Sequence, residues 1–399
     1  MKEMGMIDWR RMWNEDPSVR RFSPARAALT LFSLVYRGVV AIRNRRYDKG
    51  TLPSARLARP VISVGNLTVG GTGKTPCVIA LGRMLQSRGY KPAVISRGYG
   101  GKSAAPVTVV SDGANILCDA ATAGDEPLLI AQSLPGVPVI TGPKRKLTGR
   151  AALDRFGCDV LICDDAFQHR QIRRDIDIVL LDAQRPFGNG YLLPRGELRE
   201  PAESLARASC LLLTRSANGK PIHPDVAQIA REFDIPVFRA AHRFTEIAGF
   251  ARQSFSPGEL AGKKICAFCG IARPESFKKM LADTGAEILS FIDFPDHYAY
   301  NRDDLAALEK YFAAQNADYR ITTEKDAMRL AAYPDFLKTV FVARMEMAIA
   351  PSVPSFEEFV VGKMGNGGWW MVNGEWRMVD GEWPKLNVGR TFRSAKWRG

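Results

Sequence analysis

Residues 61–75, VISVGNLTVGGTGKT, join a buried-strand pattern to a glycine-rich loop and then to a helix that opens on Lys74 and Thr75. This order makes a phosphate cradle. Glycines allow successive backbone N–H groups to face one anion, and the helix N-terminus adds the positive end of its dipole. Lys74 reaches the outer phosphates and the Thr75 hydroxyl ligates Mg²⁺. The nucleotide-binding run is therefore Thr68, Val69, Gly70, Gly71, Thr72, Gly73, Lys74 and Thr75, with Thr68 where the usual pattern has glycine. Such a cradle needs a carboxylate at the end of a neighbouring strand to hold the metal. Asp164 and Asp165 close one strand pattern and Asp182 closes another, and spacing alone does not choose between them. The first pair is followed by Gln168 and His169, a polar cluster at a strand's C-terminal edge, where open α/β sheets bind ligands. Arg97 and Tyr99, in the run 96–101 SRGYGG, follow a strand toward the same rim, and Arg97 suits a phosphate or carboxylate. Asp125 opens a helix, as a capping residue or as a catalytic carboxylate. Among four histidines, His297 lies in a loop from which it could orient a carboxylate base across a cleft, whereas His223 and His242 show no such setting.

The elements that must carry these groups alternate. Strand patterns at 61–64, 92–96, 107–110, 137–140, 159–163, 177–182, 209–214 and 235–238 are separated by helical patterns at 74–88, 125–133, 144–156 and 223–232. Continuous β-branched runs between helices indicate a mostly parallel sheet with helices on both faces, the P-loop NTPase-like class. A smaller α/β unit follows, bounded by extended stretches at 238–250 and 339–350. The expected organisation is a basic N-terminal segment (1–55), a P-loop domain (56–240), a smaller α/β domain (241–355) and a Gly/Trp-rich tail (356–399), the tail expected to be poorly ordered. Within the tail MVNGEWR recurs as MVDGEWP, two hairpin-turn patterns in succession.

The chain has 399 residues, 46% of them hydrophobic, and a formal net charge of +14. These are the proportions of a soluble globular protein with an acidic partner. Residues 1–50 hold eleven Lys/Arg against five Asp/Glu, and 384–399 hold five Lys/Arg and no acid. Nucleic acid is not the expected partner, because no recognition signature accompanies the basic ends. Seven cysteines form no paired framework, and Cys266 with Cys269 has the spacing of only half a zinc site, so neither disulfides nor zinc are expected. The apolar run 27–42 contains Arg37 and is flanked by arginines. It reads as an in-plane helix on an anionic membrane surface, or else as a docking helix on the protein core.

Taken together, these segments resemble the tetraacyldisaccharide 4′-kinase family. The matching pieces include 63–76, 96–101, 124–127 (GDEP), 164–170 (DDAFQHR), 194–201 (PRGELREP), 268–274 (FCGIARP), 294–297 (FPDH) and 323–326 (TEKD), in family order over about 27–355. Ala166, where the family often has Gly, a longer N-terminus and the Trp-rich tail are the departures. The resemblance implies transfer of the ATP γ-phosphoryl to the 4′-hydroxyl of an acylated disaccharide 1-phosphate, with Mg²⁺, giving lipid IVA. It implies Asp125 as base at the acceptor hydroxyl, assisted by His297, with Lys74 at the donor and Asp164 and Asp165 near the metal. Arg145, Arg199 and Glu200 carry over as substrate or nucleotide contacts. It further implies a peripheral enzyme on the cytoplasmic face of the inner membrane of a Gram-negative bacterium, with no obligate protein partner. The rival reading is a membrane-recruited P-loop ATPase switch without lipid kinase activity.

Overall fold

The computed structural model describes residues 24–216, 219–250 and 253–366, and the backbone of two short strands at 369–372 and 375–378. The basic residues before 24 and the tail beyond 378 lie outside the described residues.

The described residues open with a long helix, α1 (Pro24–Asp48), longer at both ends than the apolar run 27–42. The first half of the sheet follows as β1 (Val61–Asn66), α2 (Lys74–Ser87), β2 (Pro92–Ser96), β3 (Thr108–Asp112), α3 (Asp125–Ser133), β4 (Pro138–Thr141), α4 (Arg145–Phe156), β5 (Val160–Asp164), β6 (Ile176–Asp182), β7 (Cys210–Thr214), α5 (Pro224–Glu232) and β8 (Val237–Ala248). The second half comprises β9 (Ser254–Phe255), β10 (Lys264–Cys269), α6 (Pro274–Ala282), β11 (Glu287–Asp293), α7 (Arg302–Ala313), β12 (Tyr319–Thr323), α8 (Glu324–Leu330), β13 (Phe341–Ile349) and α9 (Phe356–Asn366).

One sheet runs through both halves in the order β11-β10-β12-β13-β8-β7-β6-β1-β5-β2-β4-β3, with β9 on β8. Pairing is parallel within each half, apart from the β3 edge and the short β9. The halves are joined by the long antiparallel pair β8/β13, so the two extended stretches read from the sequence are each other's partners. Strands β1, β5, β6 and β7 are buried along their whole length, which is why they read as unbroken apolar runs. Because β5 and β6 flank β1, the chain reverses direction there and opens a crevice at the strands' C-terminal ends.

The tail expectation differs from the structure over its first eleven residues. Phe356, Val360 and Met364 of α9 are buried in the core of the first half, with the Phe356 ring 5.2 Å from that of Phe238. Beyond it, β14 (Trp369–Val372) pairs antiparallel with β15 (Glu375–Met378). Helix α1 docks on the protein along one side. Ser33, Tyr36, Val40 and Arg43 recur at helical spacing on the side that docks, with Ser33 Oγ donating to Leu192 O (2.9 Å) and Tyr36 OH to Arg199 O (3.0 Å). The other side presents Leu31, Phe32, Leu34, Val35, Val39 and Ile42, each about 60% exposed.

Candidate active site

The phosphate loop leaves β1 in a conformation open to few residues but glycine. Gly70 and Gly73 have φ of 105° and 90°, and Gly73 caps α2 from the left-handed region. The loop also meets the second half of the sheet: a Cβ on Gly71 would lie 3.1 Å from Ala272, and one on Gly73 2.9 Å from His242 Nε2. Val69 through Pro76 line a cavity of about 780 Å³ between the two halves. Thr68 is not on its wall; its carbonyl accepts from Asn66 Nδ2 at 2.7 Å.

Lys74 Nζ lies 3.3 Å from Asn66 Oδ1 and 3.6 Å from Asp165 Oδ1. Arg199 Nη1 donates to both Asp165 oxygens, at 2.9 and 3.0 Å. Burial pushes the Asp165 carboxyl up, but Lys74 and Arg199 outweigh it and hold the group below its ordinary value. Asp164, at the end of β5, differs. Burial first, then the charges of Glu126 and Asp165, push it up to about 6. Its Oδ2 accepts from Ser96 Oγ (3.0 Å), while Oδ1 is buried with no hydrogen-bond partner among the described residues. Arg145, 2% exposed, fixes this corner by donating to the carbonyls of Gly142 (3.2 Å) and Asp164 (3.1 Å).

The spare oxygen of Asp164, its neighbour Asp165 and the Thr75 hydroxyl suit a divalent ion that takes its remaining ligands from phosphate and water. Asp182 differs from Asp164 and Asp165 in its place. It pairs with Arg215 and, at 3.8 Å, with Arg273, and it is not on the cavity wall.

Across the cavity α3 begins at Asp125. Gly124 precedes it with φ 90°, and a side chain there would strike the Tyr99 carbonyl (2.4 Å from an ideal Cβ), so the 96–101 loop packs directly on the helix start. Gly124 is the cap residue, which leaves the Asp125 carboxylate for other contacts. Its Oδ1 accepts from Glu126 N (3.0 Å). Its Oδ2 lies 3.2 Å from His297 Nδ1 and accepts from Arg329 Nε (3.0 Å) and Nη2. Burial would raise this carboxyl, yet the His297 hydrogen bond and the Arg329 charge hold it far below the carboxylate range. The hydrogen bond to Asp125 raises His297 in turn, against its burial. An ionised carboxylate only accepts, so Nδ1 is the protonated nitrogen of His297. His297, its ring edge-on to Tyr99 at 5.6 Å, lies on the cavity wall, and Asp125 lies directly behind it.

The structure thus brings Lys74, Thr75, Arg97, Tyr99, Arg145, Asp164, Asp165, Gln168, His169, Arg199 and His297 to one cavity, and leaves Glu200 off it. Glu200 is fully buried, and its carboxylate accepts from Arg43, from Asn44 (3.1 Å) and from Arg207 (2.6 Å). It anchors α1. Glu200→Ala is expected to cost on the order of 3 kcal/mol by leaving Arg207 without its carboxylate, less any share screened at part-exposed Arg43. A thermal melt would read this, and an unchanged midpoint would refute the anchor.

Other wall residues had no sequence assignment. His242, read as bland, stands on β8 beside Gly73, and Tyr36 and Arg43 of α1 form part of the rim. Lys325 pairs with Glu126, one residue beyond Asp125. The signal for Arg329 was its helical spacing from Lys325, legible only once α8 is known. His169 and His242 are both pulled down to about 4 from 6.5, by burial first and then by Arg145 and Arg174 in one case and Arg215 in the other. Between those values only the unfolded chain takes up these protons. The stability they contribute is therefore complete above about pH 6.5 and is lost as pH falls toward 4. Asp164 and His297, both raised, act in the opposite direction, so the contribution is read by difference. Between pH 7 and 5 the melting midpoint of His242→Gln should fall less than that of the parent protein.

A family model described as "LpxK: Tetraacyldisaccharide-1-P 4'-kinase" matches residues 25–364. A tetraacyldisaccharide 4'-kinase of Syntrophus aciditrophicus is 47% identical over 369 residues, covering 90% of this chain and 98% of its own. That of Anaeromyxobacter dehalogenans strain 2CP-C is 42% identical over 339 residues, covering 83% and 89%. The solved structure of LpxK from Aquifex aeolicus in complex with ATP superposes with a TM-score of 0.70 at 31% identity, covering 85% of this chain and 99% of that one. A match in sequence and in three dimensions, over both halves of the sheet and the cavity between them, places this chain in the tetraacyldisaccharide 4′-kinase family.

Proposed function

We propose that this chain transfers the γ-phosphoryl of ATP to the 4′-hydroxyl of tetraacyldisaccharide 1-phosphate, forming lipid IVA. The observation that carries the reading is a single cavity walled on one side by the phosphate loop, on another by His297 with Asp125 hydrogen-bonded behind it, and at its rim by the membrane-facing helix. The relatives' common activity favours it over an ATPase switch.

The chain's own groups divide the work. Lys74 and the N–H groups at the start of α2 take the outer phosphates, and Arg97, Arg145 and Arg199 meet the remaining negative charge of donor and acceptor. Thr75, Asp164 and Asp165 would hold Mg²⁺, which when bound neutralises charge on the transferring group. As the bond from the acceptor oxygen to phosphorus forms, the bond to ADP breaks. Little proton removal is needed before that point, because the transition state is loose, and the hydroxyl proton leaves late, to a phosphoryl oxygen or water. A carboxylate held as firmly anionic as Asp125 suits orientation of the hydroxyl better than early proton abstraction. His297, standing in front of it with Nδ1–H turned inward, relays that orientation to the cavity.

The exposed apolar side of α1, continued by Arg45, Arg46 and Lys49, supports in-plane binding to an anionic bilayer at the cytoplasmic face, where ATP is available. The helix is also long and apolar enough to span a membrane, but its opposite side is docked on the protein and carries Arg43 to the cavity rim. A tetraacylated substrate would then reach the site without leaving the lipid. The deciding experiment incubates the protein with ATP, Mg²⁺ and tetraacyldisaccharide 1-phosphate in detergent micelles and assays the phosphorylated lipid. ATP hydrolysis with no lipid product would overturn the proposal.

A further inference from the structure

We propose that Arg329 is a positioning residue for the phosphoryl transfer, fixing Asp125 by one carboxylate oxygen from the other half of the sheet. This rests on the reading of Asp125 and His297 as the acceptor pair.

The side chain of Arg329 is 9% exposed and uses all three of its nitrogens. Nη1 donates to Gly270 O (2.7 Å) and Asp326 Oδ1 (3.1 Å), whereas Nε and Nη2 both reach Asp125 Oδ2. The near end is rigid because Asp326, fully buried, accepts from Gly270 N (3.0 Å), Tyr300 OH (2.9 Å) and Thr323 Oγ1 (2.6 Å). The end of β10, the loop before α7 and the start of α8 therefore hold one face of the guanidinium, and its other face is aimed at α3.

The consequence for Asp125 is a division between its oxygens. Oδ2 carries the two Arg329 donors and His297 Nδ1, and Oδ1 carries only the Glu126 amide. An ionised carboxylate has about four lone-pair directions, so only Oδ1 has room for another donor. Arg329 also lies 3.5 Å from His297 Nδ1, and the three side chains form one contact group. Joining the halves of the sheet does not by itself require this arrangement: Lys325, one turn earlier on α8, already pairs with Glu126. Arg329 instead goes to the one carboxylate that touches His297, and its planar fork suits that task in a way a lysine does not.

The test uses the full chain with ATP and the lipid acceptor, and compares Arg329→Met, Arg329→Lys, Asp125→Asn and the Asp125→Asn/Arg329→Met double variant. For Arg329→Met, kcat should fall about a hundredfold with the KM for ATP within about twofold, and Arg329→Lys should recover about tenfold of that loss. If Arg329 acts through Asp125, the double variant should lie within about threefold of Asp125→Asn alone. A wild-type kcat in Arg329→Met, or a further full loss in the double variant, would overturn the proposal while leaving the acceptor pair intact. Should Arg329→Met fail to fold, Arg329→Lys carries the test, and a wild-type kcat there overturns it equally. Full activity in Asp125→Asn would instead remove the acceptor-pair reading, and this proposal with it.

Discussion

Replacing Lys74 with alanine is expected to lower kcat/KM about a thousandfold, close to 4 kcal/mol of transition-state stabilisation. The Lys74 side chain is 14% exposed and its ammonium stands among three carboxylates: Asp165 at 3.6 Å, with Asp164 and Glu126 feeling its charge. Its removal takes a cation from the transferring phosphoryl and leaves acidic groups facing an anionic donor. Lys74→Arg is not expected to restore the rate, because a compact ammonium sits where a planar fork would meet Asn66 and Asp165. Initial rates of lipid phosphorylation check this, and a loss under tenfold would contradict the cradle.

The second large effect is expected from Asp125→Asn, with kcat down about a hundredfold to a thousandfold and ATP affinity little changed. The carboxylate accepts on both oxygens, three donors on Oδ2 and the Glu126 amide on Oδ1. An amide has one acceptor, so either orientation turns an NH₂ toward an N–H donor. The amide also leaves Arg329 with only Asp326 as a carboxylate partner and removes the charge that raises His297. Lipid product formation should fall while nucleotide binding persists, as measured by titration calorimetry. Parallel loss of both would mean that the site has collapsed instead of losing one group.

Much of the donor side was legible because it is local. Strand, glycine loop and helix follow one another within residues 61–75, and a phosphate cradle depends on backbone conformation that glycines set along a few residues. The parallel sheet was legible for a similar reason, since strands buried on both faces leave unbroken apolar runs. The acceptor side was only partly so. Asp125 and His297 could be singled out through family order, but their partner Arg329 is 204 positions from Asp125, and no periodicity joins them. Glu200 was drawn toward the substrate by the family resemblance, whereas the fold commits it to Arg43 and Arg207.

The same division applies to the ends of the chain. Residues 27–42 declared an apolar helix by composition, but only docking decides which side meets the protein and which faces outward. Asp164, Asp165 and Asp182 were equivalent by spacing; Arg215 and Arg273, arriving from later strands and loops, take Asp182 and leave the other two for the site. The sequence by itself determined the class of fold, the phosphate cradle and the kind of partner its charge demands, because each follows from residue type and short-range order. Only the tertiary structure decided which carboxylates burial pushes toward protonation, which stand beside the phosphate loop and which are tied to a structural arginine. That choice rests on burial and on charges brought within a few ångströms by strands far apart in the chain.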